Sequence, residues 1–157
     1  MKTQPRTGMK RTRVPFTSKL RPELTYEIAP DRKGRGQMLL PTPMLVAQEI
    51  SSVPEGVLIT VPILRSRLAN HHGADLVCPL MTGIFFNIIA GAAEEQLAAG
   101  ESPVAPYWRV VLEDGTLSPK TPDGPERHAE RLRQEGHTIV AKGSKLKVAD
   151  FEQRLIE

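Results

Sequence analysis

The chain has 157 residues, of which 39% are hydrophobic and only 4% aromatic, and its formal net charge is +3. This length suits one domain with a small aliphatic core. Polar residues interrupt the longest apolar run, and no apolar stretch follows the basic N-terminus, so we expect neither a transmembrane span nor a secretory signal. Cys78 is the only cysteine, which excludes an internal disulfide and favours a reducing, cytoplasmic location, at the nucleoid if the protein is bacterial.

Positive charge is concentrated at the N-terminus. Residues 1–36 hold ten Lys and Arg against three Asp and Glu, a net charge of +7, which leaves −4 for residues 37–157. Four prolines and little periodicity predict a largely irregular basic arm over 1–36, with a short extended piece near 24–28. Such an arm either contacts a polyanion such as nucleic acid or remains a solvated tail. Lys33 and Arg35, in the hinge that leads to the folded part, are candidate DNA contacts.

Capping signals predict three helices in the first half of the folded part. The predicted elements are a helix over 43–50, a strand over 57–59, a helix over 61–70 and a helix over 79–99. Thr42 and Thr60 are typical N-cap residues, and Pro79 suits a first helical position. Gly100 is expected in a left-handed C-terminal cap.

The helix from Pro79 is the most apolar segment and should lie in the core. Leu80, Ile84 and Ile88 recur every four residues, as one helical face does. Thr82 and Asn87 are expected on its exposed side, together with Met81. This helix and its predecessor are joined by a short turn that contains a glycine, which predicts a helix-turn-helix.

The second half of the folded part predicts small β elements and one polar helix. These are a strand over 107–112 that returns through a turn at 113–115 to 116–117, a helix over 125–135, a hairpin over 137–141 and 145–148, and a closing helical turn over 150–156. A strand pair after a helix-turn-helix is typical of a wing. The predicted fold is therefore mostly α with small β elements, a winged helix-turn-helix over residues 37–157.

Several motifs resemble the DNA-binding domain of the O6-alkylguanine-DNA alkyltransferases, also called methylated-DNA–protein-cysteine methyltransferases. They are Pro106–Val111, Asp114-Gly115 and Leu132–Gly136, preceded by Val53–Thr60, which resembles the short strand before the family's helix-turn-helix. Their order and spacing match over roughly residues 40–136. The resemblance implies a winged helix-turn-helix that enters the minor groove of double-stranded DNA without a cofactor.

The family's chemistry is missing at the matching positions. Its alkyl-accepting cysteine falls at Tyr107, and a phenol, with a pKa of about 10, is a poor nucleophile beside a thiolate. Its proton-relaying histidine falls at Trp108, whose indole cannot act as a base. Glu135 matches the third member of the relay. The resemblance therefore points to the alkyltransferase-like branch, which binds alkylated DNA without accepting the alkyl group and passes it to other repair machinery.

Two further positions differ from the family. The arginine that family members insert into the duplex falls near Gly83, and the tyrosine that presses on the phosphate falls near Val61. Extrusion of a base from the duplex would therefore lack two of its usual groups.

The candidate site residues form two groups. The candidate DNA contacts are Thr82, Gly83, Asn87, Arg109, Lys33 and Arg35, and the candidate lesion pocket consists of Tyr107, Trp108 and Glu135. For Arg109 the alternative is to anchor its strand to backbone carbonyls or to an acid. For Tyr107 and Trp108 the alternative to stacking on a base is ordinary core packing.

Cys78 is a candidate reactive thiol, because a helix N-terminus can activate a cysteine and His71 and His72 are close in sequence. The alternative is a small residue that caps the helix. His71 and His72 with Asp75 could suggest a metal site, but no further strong ligand lies at a suitable spacing. We therefore expect no metal site.

Three functions remain open from the sequence. The first is a non-catalytic DNA-binding protein that recognises alkylated DNA for repair. The second is a protein-interaction module on a retired DNA-binding scaffold, and the third is an enzyme, such as a methyltransferase, that uses Cys78.

Overall fold

The computed structural model describes residues 14–157, and residues 1–13 of the predicted basic arm lie outside the described residues. The helices are α1 (Pro43–Ser51), α2 (Val61–His71), α3 (Pro79–Ala98) and α4 (Gly124–Gln134). The strands are β1 (Glu27–Pro30), β2 (Gln37–Leu40), β3 (Ile59–Thr60), β4 (Leu76–Val77), β5 (Val110–Val111), β6 (Ile139–Lys142) and β7 (Lys145–Val148). Three 3-10 turns span Phe16–Lys19, Tyr107–Arg109 and Phe151–Arg154. The fold is mostly α with small β elements, a winged helix-turn-helix, as predicted.

The helices begin and end where their capping residues predict. The hydroxyls of Thr42 and Thr60 accept hydrogen bonds from the backbone N–H groups of residues 45 and 63, at 3.1 and 3.4 Å. Each satisfies a donor that the first turn of a helix leaves without an intrahelical partner. Pro79 occupies the first turn of α3, and Gly100 follows its end at φ +82°. These helix predictions are confirmed.

The strands form three small sheets, two of which connect segments that are distant in the sequence. β2 pairs with β1 antiparallel and with β4 parallel, and β6 pairs with β7 antiparallel. β3 pairs with β5 in parallel, with Ile59 opposite Val110 and Thr60 opposite Val111. This last pairing places the start of α2 directly beside β5.

Two hydrophobic clusters form the core. The larger one lies among α1, α2 and α3 and includes Val46, Ile50, Leu68 and Ile89. The smaller one joins β5 to α4 and β7 and includes Val111, Leu132 and Val148. Trp108 packs against both clusters and so joins the two halves of the structure. Within residues 14–157, no helix combines the length and the apolar character that crossing a membrane requires.

The strand predicted over 107–112 is wrong in its first half. Tyr107–Arg109 form a 3-10 turn, and only Val110–Val111 form a strand, which pairs with β3. The predicted return at 116–117 is confirmed in part, because the N–H of Leu112 donates to the carbonyl of Thr116 at 2.9 Å. The returning segment also meets β7: Thr116 bridges Lys147, and the N–H of Leu117 donates to the carbonyl of Leu146 at 2.8 Å. The cause is long-range, because the side chains of residues 107–109 reach partners on different elements and cannot alternate between two faces as a strand requires.

The described part of the predicted arm, residues 14–36, packs against the folded body. The extended piece expected near 24–28 lies slightly later in the chain, as β1 at Glu27–Pro30, where it extends the sheet of β2. The ring of Phe16 lies over Gly91 of α3, where any larger residue would meet it. The carboxylate of Glu95 accepts hydrogen bonds from the backbone N–H groups of Phe16 and Thr17, at 2.8 and 2.9 Å.

We expect Gly115→Ala to lower the free energy of unfolding by about 3 kcal/mol, because residue 115 has φ +84° and a Cβ there would meet the ring of Phe151. Gly143→Ala is the matched control, since φ is +61° and no atom lies within 4 Å of its added Cβ. The control should lose only about 1 kcal/mol, for the left-handed backbone alone. Urea denaturation measures both, and equal losses would contradict the close contact with Phe151.

Candidate nucleic-acid interface

A cleft of about 370 Å³ opens between α2, the first half of α3 and β5. Its walls are mainly apolar, and the apolar side chains are those of Val61, Leu64, Leu80, Ile84, Phe86, Val110, Val111 and Leu112. The parallel pairing of β3 with β5 brings these three segments together. A concave apolar site with few polar groups is the usual form of a ligand-binding pocket.

Two cations border this cleft. Arg65 of α2 and Lys120 of the loop before α4 line it, and none of its lining residues is acidic. Neither Arg65 nor Lys120 takes part in an ion pair within residues 14–157. The first turn of α3, which contributes Pro79 and Leu80 to the lining, carries no acidic residue either. The border of the cleft therefore suits an anion.

The predicted contacts on α3 divide into two kinds. All three line the cleft, but Gly83 is exposed and Asn87 half-buried, whereas Thr82 is buried. Thr82 is only 2% exposed, and its hydroxyl donates to the carbonyl of Cys78 at 2.8 Å. The expectation that Thr82 lies on the exposed side of the helix is therefore wrong, because back-bonding to the preceding turn satisfies its hydroxyl.

The other predicted DNA contacts lie away from the cleft. Lys33 and Arg35 are in the turn between β1 and β2, where the guanidinium of Arg35 donates to the carboxylate of Asp31 at 2.7 and 3.1 Å. Arg109 points inwards: it donates to the carbonyl of Val53 at 2.6 Å and to the carboxylate of Glu135 at 2.8 Å. The alternative role of Arg109, as an anchor to a carbonyl and an acid, matches this geometry, and its assignment as a DNA contact needs correction.

Tyr107, the first residue of the predicted lesion pocket, is buried. It is 1% exposed, and its hydroxyl donates to Glu94 at 2.8 Å. Arg131 holds the same carboxylate, at 2.6 and 2.9 Å. Burial raises the pKa of Tyr107 far above its usual range, and the hydrogen bond to the Glu94 carboxylate raises it further. The phenol stays neutral and has no access to a substrate.

Trp108 and Glu135 also face the interior. The indole N–H of Trp108 donates to Glu135 at 2.7 Å, and the backbone N–H of Gly56 donates to the same carboxylate at 3.0 Å. Burial alone would raise the pKa of Glu135, but the hydrogen bonds from Arg109, Trp108 and Gly56 outweigh it and hold the pKa below its usual value. The carboxylate stays ionised.

The residues of the predicted lesion pocket therefore lie outside the cleft. The structure does bring Tyr107, Trp108 and Glu135 together, but none of them lines the cleft. Tyr107 binds Glu94 of α3, and Trp108 binds Glu135, which directly follows α4. These two contacts hold the chain that continues into Val110 of β5. Their role here is packing and support, the alternative left open for the aromatic pair.

His128 is a buried residue that the sequence analysis missed. Its Nε2 lies 2.9 Å from the carbonyl of Trp108, and its ring meets that of Tyr107 edge to face, with the centroids 5.5 Å apart. Burial lowers the pKa of His128 to about 4. His128 lies on the inner face of α4, next to Ala129 and four residues before Leu132, which are both buried. This helical spacing in the sequence could have predicted that His128 is buried.

Cys78 is half-buried at the N-cap of α3, and its backbone N–H donates to the carbonyl of Leu39 at 3.0 Å. Both neighbouring histidines contact other residues. His71 Nδ1 lies 2.8 Å from Glu49, and the ring of His72 packs edge to face on Tyr26 at 4.9 Å. Neither contact directs a base towards the thiol. Within residues 14–157 no three ligating side chains gather into a group that could hold a metal ion.

The lining of the cleft suits the binding of a ligand. Its lining residues include no histidine, cysteine or carboxylate that could act as a base or nucleophile. The walls can enclose a flat or apolar group, while Arg65 and Lys120 can pair with phosphate oxygens at the border. Neither cation, nor the cleft itself, could be found from the sequence, because the lining comes from three separate segments.

No family model matches the sequence, and no curated protein matches it. Two similar solved structures come from Schizosaccharomyces pombe: Atl1 in complex with damaged DNA containing O6-carboxymethylguanine, at 18% identity and a TM-score of 0.49, and ATL in complex with DNA, at 20% identity and a TM-score of 0.47. Each comparison covers 73% of this chain and 94% of the other. Both are likenesses of architecture at low identity, and they assign no function to this chain.

We expect Glu135→Gln to lower the free energy of unfolding by about 3 kcal/mol, because it leaves the inward-facing guanidinium of Arg109 without its charged partner. Glu130→Gln is the matched control, since Glu130 pairs with Arg127 at the exposed surface of α4 and should be nearly neutral. Chemical denaturation measures both variants. A Glu135→Gln protein as stable as the control would contradict the central role of this carboxylate.

The stability of the protein should fall as the pH is lowered from 6.5 to 4. In this range the unfolded chain binds a proton at residue 128, whereas the folded protein, in which the pKa of His128 is about 4, does not. The free energy of unfolding should therefore decrease by up to about 1.4 kcal/mol per pH unit from this group. The same titration of His128→Gln should show a shallower dependence, and an unchanged slope would exclude His128 as its source.

Proposed function

We propose that the protein binds double-stranded DNA at the cleft, recognises an alkylated base there, and does not remove the alkyl group. The observation that carries this proposal is the combination of an apolar cleft with two cations, Arg65 and Lys120, that form no ion pairs at its border. A nucleotide has the matching composition, since its base is flat and largely apolar on its faces and its phosphate is anionic.

The contacts divide between positioning and recognition. Arg65 and Lys120 hold phosphate oxygens, and the N-terminus of α3 adds a favourable dipole for the same charge. The apolar walls from α2, α3 and β5 enclose the base, and an alkyl group on the base adds to the apolar surface that becomes buried. Asn87 and Ser118 are the polar lining residues available to a base edge.

The environment of Tyr107 supports the part of the proposal that excludes alkyl transfer. Its oxygen is buried, donates to Glu94 and is held neutral, so it cannot attack an alkyl carbon. Cys78, the one thiol in the chain, is not among the residues that line the cleft. We therefore assign the protein a binding role in which a further repair component processes the lesion.

One observation favours a second candidate function, a protein-interaction module. Leu80 is 71% exposed and Ile84 is 50% exposed at the mouth of the cleft. Exposed apolar side chains of this size are typical of protein-interaction sites as well. A DNA titration separates the two functions, because only the first predicts a steep dependence on salt.

We expect the full-length protein to bind a duplex with one O6-methylguanine more tightly than the matched undamaged duplex. Affinity for both duplexes should fall steeply between about 50 and 200 mM salt, because counterions are released when phosphates are neutralised. Fluorescence anisotropy with end-labelled duplexes measures both effects. Salt-independent affinity would exclude phosphate contacts, and equal affinity for the two duplexes would exclude recognition of the alkylated base.

A charge-matched pair of variants tests the location of the contacts. Arg65→Ala with Lys120→Ala should reduce the slope of log K against log salt by about 1.8, since each phosphate contact contributes about 0.9. Arg127→Ala with Arg133→Ala, on the outer side of α4, removes the same charge outside the cleft and is the control. If both double variants lose the same amount, the cleft is not the binding site.

Incubation with O6-methylguanine DNA should leave the intact mass of the protein unchanged and the modified base in the DNA. Mass spectrometry of the protein and nucleoside analysis of the DNA measure the two outcomes, with a cysteine-dependent alkyltransferase as positive control. A protein that gains the mass of a methyl group, at Cys78 or at Tyr107, would contradict the binding-only role.

A further inference from the structure

Leu24, Tyr26 and Ile28 form an exposed apolar row along β1 and the chain that leads into it. They are 42%, 43% and 40% exposed, and their spacing of two is that of side chains on one face of an extended chain. The ring of Tyr26 packs edge to face on His72, with the centroids 4.9 Å apart, which holds this part of the row in place. None of the three residues lines the cleft, so the row is separate from the proposed DNA site.

The backbone of β1 has a free edge beside this row. In the sheet order β1-β2-β4, β1 pairs only with β2 within residues 14–157. The carbonyl of Leu39 on β2 accepts the N–H of Cys78 at 3.0 Å, on the side of β4, and Ile28 lies opposite Leu39 in the antiparallel register. The N–H and carbonyl of Ile28 therefore point away from β2, to the free edge. Pro30 adds a carbonyl to the same edge but no N–H.

A free edge of this kind can accept a further strand, and the charges beside β1 indicate which strand fits. Residues 21–27, which lead into β1, hold one arginine against two glutamates, whereas the turn after it, residues 31–36, holds three cations against one aspartate. An antiparallel copy of β1 brings the acidic start of one strand beside the cationic end of the other. A parallel copy would bring like charges together. The edge is therefore self-complementary, as a two-fold symmetric interface requires.

We propose that β1 pairs antiparallel with β1 of a second copy of this chain, with Ile28 at the two-fold axis, and so joins two three-stranded sheets into one. In this register the N–H of each Ile28 donates to the carbonyl of the other. The carbonyl of Pro30 faces the N–H of Tyr26 of the second copy, so Pro30 acts only as an acceptor. The two Ile28 side chains meet at the centre of the apolar row, and the ring of Tyr26 covers Pro30 of the other copy.

The interface is small, so the association should be weak. One short strand pair with three apolar side chains from each copy is smaller than a standard interface of about 1,600 Å². We therefore expect a dissociation constant of about 100 µM for the dimer. Sedimentation velocity of the full-length protein without DNA, at concentrations from about 5 to about 500 µM, covers this range.

A pair of opposite charges at the axis tests the register. Ile28→Lys and Ile28→Glu should each abolish the dimer, because each places two like charges opposite each other. An equimolar mixture of the two variants should restore a dimer, with a dissociation constant about tenfold below that of either variant alone, since opposite charges then face each other. A two-fold interface centred on Ile28 predicts both the loss and the rescue.

Val140→Lys is the matched control, because Val140 is 41% exposed on β6 and the substitution adds the same charge away from β1. This variant should dimerise as the unchanged protein does. Since both replaced residues are exposed, all three single variants should unfold at midpoints close to that of the unchanged protein. Thermal denaturation checks this, so that a lost dimer is not mistaken for a lost fold.

Each other outcome decides against the interface. A protein that stays monomeric at the highest concentration overturns it, as does an undiminished dimer in Ile28→Lys or an equal loss in Val140→Lys. Loss of the dimer in both Ile28 variants without rescue in their mixture overturns the antiparallel register. The proposed function stands in all of these cases, because no residue of β1 lines the cleft.

Discussion

The buried carboxylate of Glu135 is the interaction on which the site depends. It ends α4, receives the indole N–H of Trp108 and the guanidinium of Arg109, and also accepts the N–H of Gly56 in the turn before β3. One charged group therefore ties together the segments whose strands, β3 and β5, then pair in parallel. Because that pairing brings α2 beside β5, the cleft exists only while these hydrogen bonds hold the segments in place.

A second carboxylate completes this support on the other side of β5. Glu94 of α3 receives the hydroxyl of Tyr107 and the guanidinium of Arg131, which in turn lies over the ring of Trp108. Buried ion pairs of this kind add specificity of arrangement more than net stability, because the cost of removing the charges from water is large. The side chains of Tyr107, Trp108 and Arg131 thus connect α3, α4 and β5.

Much of the fold could be predicted from local signals, and the cleft could not. Thr42, Thr60 and Pro79 mark helix starts through the hydrogen bonds and fixed φ of single residues. A short stretch of sequence is therefore enough to predict where these helices begin. The 3-10 turn at Tyr107–Arg109 instead depends on partners at Glu94 and Glu135, which are distant in the chain. Thr82 is buried for a different, local reason, since its hydroxyl donates to the carbonyl of Cys78 four residues earlier and needs no solvent. The cleft combines three segments, and its position requires the β3–β5 pairing.

Helix α3 divides its length between core and surface, which explains why its composition misleads. Its later turns bury Ile89, Ala90 and Ala93 against α1 and carry Gly91 under the ring of Phe16. Its first turns expose Leu80 and Ile84 beside the cleft, although the same four-residue spacing runs through both halves. An apolar stripe on a helix indicates burial only where another element covers it, and within residues 14–157 Leu80 and Ile84 remain exposed. The core half of α3 therefore holds the exposed half rigidly in place, so its apolar side chains can act on a ligand without a prior change of backbone conformation.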